Sequence, residues 1–278
     1  MKNVKKKIVH YLAIWGCIST GIVYTSIGVD AILSFLRIKN GGDGENSLLV
    51  SFDRSFIGKL SIWIILLGMI GYITWRIYET INDPYNYGTR LKGILKRSVI
   101  ALSSVADALI AYIAIQALFG KGAREQTSQP AAQRETITNI LANHWGQWLV
   151  ITIGIITSIA AIVQFGYVVT LSYMERLDID HLARWKKSCI HVAAWAGHFA
   201  RGFILCIIGF LFIKAGMLKN AHYIVNTDKA FNFIRNDVGH VYFIVVAIGT
   251  ICYGFFMFAF GVYYHTQKKN TTKVGTTR

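Results

Sequence analysis

The sequence has little charge, almost no proline and no paired cysteines. Only 15% of its 278 residues are charged and 54% are hydrophobic, whereas soluble globular domains carry about 25% charged residues. The two prolines, Pro84 and Pro130, both fall between apolar runs, so no helix is predicted to break inside one. The shortage of charge excludes an ordinary soluble domain, and the length of the apolar runs indicates an α-helical membrane protein.

The cysteines and histidines show no spacing typical of a reactive site. Cys17, Cys189, Cys206 and Cys252 lie in or beside apolar runs, without a CxxC pair or the spacing of a zinc site. The sequence also contains no HExxH motif, no glycine-rich loop before a Lys-Ser/Thr pair and no nucleophile motif. We therefore predict no metal, no cofactor and no catalytic residue, and we do not expect an enzyme.

Six apolar stretches are long enough to cross a bilayer, for which about 20 residues suffice. They run over Ile8–Leu36, Phe56–Tyr78, Ile94–Phe119, Trp145–Tyr173, Cys189–Ile213 and Val241–Tyr264. The first is too long for the apolar region of a cleaved signal peptide, so we expect it to remain as a helix. The predicted fold is all-α, a polytopic transmembrane bundle of six helices. It forms a single membrane domain over 1–278, with a polar tail over 266–278.

Basic residues gather at the ends of these stretches and give the chain a net charge of +15. Seventeen lysines and arginines fall in the N-terminus, the second and fourth connections and the tail, against eleven in the other three connections. By the positive-inside rule, we expect a multi-pass inner-membrane protein with both termini in the cytoplasm. Because no soluble domain presents these charges, they indicate the lipid bilayer as a partner and not nucleic acid.

Glycines recur along the chain at a fixed offset. A shift of 181 positions places Gly16, Gly21 and Gly28 on Gly197, Gly202 and Gly209, and Phe52, Gly58, Gly68 and Tyr72 on Phe233, Gly239, Gly249 and Tyr253. The middle third has diverged further, with Gly146 in the place of Gly58. We predict three parallel repeats of a two-helix hairpin, over about residues 8–84, 92–174 and 186–265.

A short amphipathic stretch precedes the second helix of each predicted unit. Apolar residues recur at helical spacing after Asn46-Ser47 in the first unit and after Thr227-Asp228 in the third. In the middle unit they are Ile137, Ile140, Leu141 and Trp145. We expect these segments to lie in the membrane interface, and the alternative is a lid over a central cavity.

Two groups of residues resemble a known bacterial membrane family. Gly21-Ile22-Val23-Tyr24 occurs with Ala200-Arg201-Gly202-Phe203, and the run from Gly68 to Arg76 (GMIGYITWR) is followed by Asp83-Pro84. Together they resemble the family of domain of unknown function 1206, from about Trp15 to Tyr264. Ser19-Thr20-Gly21 departs from the Ala-Arg-Gly form, and the middle unit lacks the tripeptide. The resemblance implies a six-helix inner-membrane protein and brings no function with it.

Four polar residues fall well inside the apolar stretches: Asp107, Gln164, His198 and Arg201. Ionisable groups in lipid are costly and usually face a partner or a cavity. Because the backbones of Asp107 and Arg201 differ in depth by roughly 6 Å, we predict an ion pair or water-linked pair between them. That pair is either a buried bridge that fixes helix register or part of a proton or substrate relay. Snorkelling of the two side chains is a third alternative.

Small residues and histidines are assigned packing roles. Gly16, Gly21, Gly28, Gly68, Gly71, Gly197, Gly202 and Gly209 are predicted to let helices approach closely. His191, Trp195, His198 and Gly202 share one helical stripe, which is expected to pack against another helix. Haem ligation is the alternative, but His10, the one repeat-related histidine, falls at the edge of its stretch.

Three classes of function are compatible with these features. An accessory, binding or structural membrane component, holding a membrane protein partner, a lipid or a second copy of the chain, explains the packed glycines and the short loops. A small transporter or channel would use Asp107, Gln164, His198 and Arg201 as a polar path between the repeats. A membrane enzyme has no motif to support it. We favour the first class and keep the second as the alternative.

Overall fold

The computed structural model of the chain describes residues 2–36, 56–83, 87–90, 93–94, 97, 139, 141–220, 223 and 227–264. Within them the fold is an all-α bundle, as predicted. The long helices are α1 (Lys2–Phe35), α2 (Phe56–Asn82), α3 (His144–Val169), α4 (Arg184–Leu218) and α6 (His240–Tyr263), and α5 (Thr227–Phe233) is short. Asp107, most of the third apolar stretch, the segment after Asn46 and the polar tail lie outside the described residues.

Four of the described helical segments are long and apolar enough to cross a membrane. They are Tyr11–Leu33, Trp145–Val169, Arg184–Leu218 and His240–Tyr263. Their bounds follow the predicted stretches to within a few residues. The helices themselves differ more: α2 continues past Tyr78 to Asn82, α3 stops at Val169, and α4 extends five residues beyond the predicted stretch at each end.

Polar contacts at its last turn explain why α2 extends beyond its apolar stretch. Asp83 leaves the helix with a φ of 43°, and its carboxylate accepts hydrogen bonds from the backbone N–H groups of Tyr87 and Gly88 at 2.8 and 2.7 Å. The Arg97 guanidinium donates to the carbonyl of Thr80 at 2.7 Å. The Arg97 bond pairs a carbonyl of the last turn that the end of a helix would otherwise leave unpaired, and the Asp83 bonds hold the chain that follows.

The chain leaves α3 and α4 through residues with a left-handed backbone conformation. Thr170 donates both its N–H and its hydroxyl to the Gly166 carbonyl, and Leu171 then takes a φ of 50°. Lys219 has the same φ, and its N–H bonds to the last-turn carbonyls of α4. A left-handed residue of this kind commonly ends an α-helix because it redirects the chain while pairing the last carbonyls.

The long helices pack in the order α3, α4, α6, α1, α2. We call the end where α2, α3 and α6 finish the Glu79 end, after a buried carboxylate there, and the opposite end the Phe243 end. The rings of Phe35 and Phe243 stack at the latter, 5.6 Å apart. At the former, the Trp75 and Tyr264 rings lie 4.9 Å apart. The charge count predicts that the Glu79 end is cytoplasmic.

The short segment before α6 packs onto the Phe243 end of the bundle. After α5 the chain forms a π-turn over Ile234–Val238, and Gly239, with a φ of 129°, leads into α6. Ala230, Phe231 and Ile234 are fully buried. Thus α5 is helical as predicted, and its buried residues pack into the protein core.

The first and last hairpins make the same contacts at the predicted 181-residue offset. A Cβ atom added at Gly16 would overlap the Cα and Cβ atoms of Tyr72, and one at Gly197 would overlap those of Tyr253. Gly68 likewise lies against Ser19, and Gly249 against Ala200, which is 181 positions further along. These matched contacts support the predicted relationship between the first and third units.

Contacts between neighbouring units follow a second matched pattern. Gly21 of α1 lies against Phe258 of α6, and Gly202 of α4 lies against Phe165 of α3. The two glycines differ by 181 positions and the two phenylalanines by 93, the offset between Gly146 and Gly239. In both cases the first helix of one unit packs on the second helix of another. The contact between α1 and α6 brings the first and third units together.

Candidate functional site

Arg201 is buried in the middle of α4, surrounded by aromatic rings. Its guanidinium donates a short hydrogen bond to the hydroxyl of Tyr253 on α6. The guanidinium carbon also lies 5.0 Å from the ring centre of Tyr24 on α1 and 4.9 Å from that of Tyr253. A desolvated cation is stabilised by the negative faces of such rings, so α1 and α6 together provide a site for this charge.

His198 lies one turn before Arg201 on α4 and bonds to a side chain of α3. Its Nδ1 atom is 2.7 Å from Oε1 of Gln164, so Nδ1 donates to the amide oxygen. The rings of Tyr167, Tyr253 and Phe256 lie around the imidazole at centroid distances of 4.9, 5.1 and 5.2 Å. Among the described residues, Nε2 has no hydrogen-bond partner.

The structure brings three of the four predicted polar residues into one neighbourhood. Gln164 contacts His198 directly, and Tyr253 contacts both His198 and Arg201. Asp107 lies outside the described residues, so its pairing with Arg201 stays a prediction. The central part of the predicted cluster is therefore a hydrogen-bonded group shared by α3, α4 and α6.

The predicted histidine stripe on α4 divides between two environments. His191 accepts or donates a 2.8 Å hydrogen bond with the Tyr173 hydroxyl, and His198 faces the interior. Trp195 instead points outward, with 55% of its surface exposed, and stacks on the ring of Phe199 at 5.3 Å. The stripe is thus not one packing face, because its tryptophan lies on the outer surface of the helix.

A second polar group lies at the Glu79 end, where the side chain of Glu79 is completely buried. One carboxylate oxygen accepts hydrogen bonds from Arg76, at 3.3 Å, and from Arg176, at 3.5 Å. The other oxygen accepts a 3.2 Å hydrogen bond from the hydroxyl of Tyr264. That hydroxyl in turn accepts one from the indole N–H of Trp75 at 2.9 Å.

Two arginines are internal where the sequence pattern suggested the headgroup region. Arg76 donates to the Tyr72 hydroxyl at 2.6 and 3.0 Å, and its side chain is only 12% exposed. The Arg176 side chain is 3% exposed. Both contact Glu79, whose negative charge offsets part of the cost of burying them. They therefore help to organise the bundle interior. Both also belong to the seventeen basic residues from which the orientation is predicted.

Glu79 falls one residue past Tyr78, the predicted end of the second apolar stretch, and is therefore not among the predicted site residues. The signal was present: Arg76 and Glu79 are three residues apart, a spacing that places oppositely charged side chains together on a helix. Neither Arg176 nor Tyr264 could be linked to Glu79 from spacing, since they come from distant parts of the chain. For Tyr253 the sequence offers only its repeat relationship to Tyr72.

All eight glycines predicted to allow close packing lie at helix contacts. In α1 and α2 they face Tyr72, Phe258, Ile251, Ser19 and Leu12, and in α4 they face Tyr253, Phe165 and Ser158. Gly28 is also near the Ala247 carbonyl, and Gly209 near the Gly154 carbonyl. Because the helix backbones come close together at these glycines, aromatic residues on neighbouring helices can meet across the interior.

Among the described residues, neither thiols nor metal-binding groups form a reactive cluster. Cys17 is buried, Cys252 is partly exposed, and Cys189 and Cys206 lie on the surface, all as free thiols. No three histidine, cysteine or acidic side chains in the described part of the chain come together as a metal site. Hydrogen bonding among tyrosine, arginine, glutamate and histidine is the chemistry that the described interior offers.

Comparison with known proteins places this arrangement in a family. A family model described as "Domain of Unknown Function (DUF1206)" matches residues 99–170 and 196–264, which together make up half of the chain. The chain belongs to the DUF1206 family. It is also 27% identical to "Uncharacterized protein YxxB" of Bacillus subtilis (strain 168) over 253 residues, covering 90% of this chain and 89% of that protein. No solved structure matches it.

The two segments that match the DUF1206 model fall within the predicted second and third units. They contain Gln164, His198, Arg201 and Tyr253, the central polar group of the bundle. Glu79 lies outside both matched segments. The polar group at the Glu79 end therefore connects α2, which precedes both matched segments, to the part of the chain between them, where Arg176 is located.

Proposed function

We propose that this DUF1206 protein is an accessory or structural membrane component that holds a lipid or protein partner and does not carry a solute across the membrane. The observation that carries the proposal is the filling of the interior by aromatic rings. Phe231 and Phe243 lie at one end, Tyr72 and Phe256 in the middle, and Trp75 at the other, each with less than 2% of its surface exposed. Within the described part of the chain, these buried rings occupy the space between the helices that a water-lined path would need.

The buried charges are compatible with a packing role. Arg76 and Arg176 meet Glu79, and Arg201 meets the hydroxyl of Tyr253 and the ring of Tyr24. Interhelical hydrogen bonds of this kind hold transmembrane helices in a defined arrangement. We place the protein in the bacterial inner membrane as a multi-pass protein with both termini in the cytoplasm, on the basis of its basic residues.

A transporter is the second candidate, favoured by the continuity of the polar groups. From the Glu79 end, Arg176 faces the Tyr167 ring at 5.9 Å, and Tyr167 contacts His198. His198 contacts Tyr253, which binds Arg201. Ionisable groups arranged in this way can mark a path for protons or solutes through a membrane protein.

Flux measurements separate the two candidates. The purified chain is reconstituted into liposomes, and proton, potassium and chloride fluxes are measured under an imposed gradient. The accessory role predicts fluxes equal to those of liposomes without protein, for the wild type and for the His198→Ala variant alike. A protein-dependent flux that His198→Ala abolishes would support the transporter and overturn the accessory role.

A further inference from the structure

The connection between α3 and α4 is folded against the Glu79 end of the bundle. We call residues 170–183 the strap. It contains one turn of 3-10 helix over Met174–Arg176, and Tyr173, Leu177 and Ile179 within it are at most 3% exposed. A loop between transmembrane helices would ordinarily lie in water or among headgroups. This loop instead buries its apolar side chains in the main hydrophobic core.

Backbone bonds attach the strap to the end of α6. The N–H of Asp178 donates to the carbonyl of Tyr263 at 2.9 Å, and Leu177 forms an isolated antiparallel bridge with Tyr264. On its other side, the Tyr173 hydroxyl bonds to His191 at the beginning of α4. Burial raises the pKa of the Tyr173 hydroxyl. The strap is therefore bonded to the end of α6 on one side and to α4 on the other.

One side chain connects the strap to a third part of the fold. Glu79 of α2 accepts from Arg176 of the strap and from Tyr264 at the end of α6. A single carboxylate thus joins three segments that are far apart in the sequence. Arg76 also contacts Glu79, but it belongs to the same helix and links α2 only to itself.

We propose that the strap is a latch which seals the Glu79 end of the bundle, with the Glu79–Arg176 pair as its releasable contact. When the pair is broken, the strap leaves the ends of α2 and α6, and water reaches the interior from that side. The proposal does not depend on whether the protein holds a partner or carries a solute, because it concerns only how this end is closed.

The native Cys17 thiol can report on opening. It is fully buried, and its Cβ atom lies 3.0 Å from where a Cβ on Gly261 would be, within one turn of the end of α6. Substitution of Cys189, Cys206 and Cys252 by serine leaves Cys17 as the one thiol of the chain. Its reaction with a water-soluble maleimide in liposomes then measures access of water to the interior near the latch.

Hydrogen exchange measures the strap itself. In the full chain in lipid nanodiscs, the latch predicts that Arg176→Gln and Glu79→Gln each speed exchange of the strap amides by about tenfold or more. Exchange in the middle of α4 should stay as in the wild type. Lys186→Gln is the matched control, because Lys186 is an exposed lysine near the start of α4 whose ammonium lies over the ring of Trp185, 5.5 Å from its centre. It should leave strap exchange unchanged.

A variant in which the charges of Glu79 and Arg176 are exchanged distinguishes loss of the ion pair from general misfolding. The double variant Glu79→Arg/Arg176→Glu keeps two arginines and one glutamate in the group, so it should restore slow exchange that Arg176→Glu alone has lost. The latch also requires Cys17 to react faster in Arg176→Gln and at the wild-type rate in the double variant. Unchanged strap exchange in Arg176→Gln, or faster exchange without faster Cys17 labelling, would overturn the proposal.

Discussion

Tyr72 and Tyr253, which are 181 residues apart, each accept a hydrogen bond from a buried arginine, but the two arginines come from different helices. Tyr72 binds Arg76, one turn further along α2. Tyr253 binds Arg201, which reaches it from α4. The predicted repeat therefore keeps a tyrosine–guanidinium pair in both units while the position of the guanidinium changes.

This relationship predicts that the guanidinium bound to Tyr253 can be supplied from α6 instead of from Arg201 of α4. In the third unit, Met257 is equivalent to Arg76, four residues after the tyrosine. We expect Arg201→Thr to lower the free energy of unfolding by about 1–3 kcal/mol, because the buried Tyr253 hydroxyl loses its donor. Adding Met257→Arg should recover part of that loss. Thermal unfolding of the detergent-solubilised chain measures both effects.

Met257→Arg in the wild-type background is the control for this exchange. It places a second guanidinium beside Arg201 and should destabilise the protein, since two like charges would share one hydroxyl. If the double variant is no more stable than Arg201→Thr, the two tyrosines do not occupy equivalent sites, and the repeat relationship between the first and third units loses this support.

Close helix approach predicts opposite effects for two glycines. Alanine has a higher helix propensity than glycine by about 1 kcal/mol, so Gly166→Ala, which meets no atom within 4 Å, should be neutral or stabilising. At Gly197 the added methyl would meet the backbone of Tyr253. Overpacking of this kind costs about 1–3 kcal/mol, so Gly197→Ala should lower the melting temperature. Equal melting temperatures for the two variants would contradict the packing role.

The His198–Gln164 contact should appear as a coupling energy. In a double-mutant cycle of His198→Ala and Gln164→Ala, we expect a coupling of about 0.6 kcal/mol, the average for hydrogen bonds between membrane helices, and at most about 1.7 kcal/mol. Unfolding of each variant in detergent supplies the four values. A coupling of zero would show that the two side chains do not depend on each other for stability.

The predicted pair of Asp107 and Arg201 needs a separate test. If it fixes helix register, Asp107→Asn and Arg201→Gln should each destabilise the fold, and the double variant should lose less than the sum of the two. Thermal unfolding and the oligomeric state of the four proteins measure this. Single variants that leave both properties unchanged would remove support for the structural role.

Apolar length was the part of the fold that the sequence predicted well. Spans near Trp145–Val169 and His240–Tyr263 are recognisable because helices in lipid need long apolar runs whatever their neighbours are. Repeated glycines also located the helix contacts, since Gly16 and Gly197 recur at one offset. The repeat could not predict which helices from different units pack together.

Charges at the Glu79 end were harder to predict than those in mid-membrane. Arg201 was noticeable because a charge inside an apolar run has few explanations. Arg76 and Arg176 lie beside connections, where a basic residue usually faces headgroups. Both contact the carboxylate of Glu79, and Arg176 reaches it from the strap, which folds against α6. Such long-range pairings have no sequence spacing that would reveal them.

Native mass spectrometry of the full chain, extracted gently from its own membranes, tests the proposed accessory role most directly. The proposal predicts a stoichiometric additional mass, from a lipid or a second protein, that remains bound through repeated preparations. A bare monomer or a homo-oligomer with no further mass, in every preparation, would contradict it.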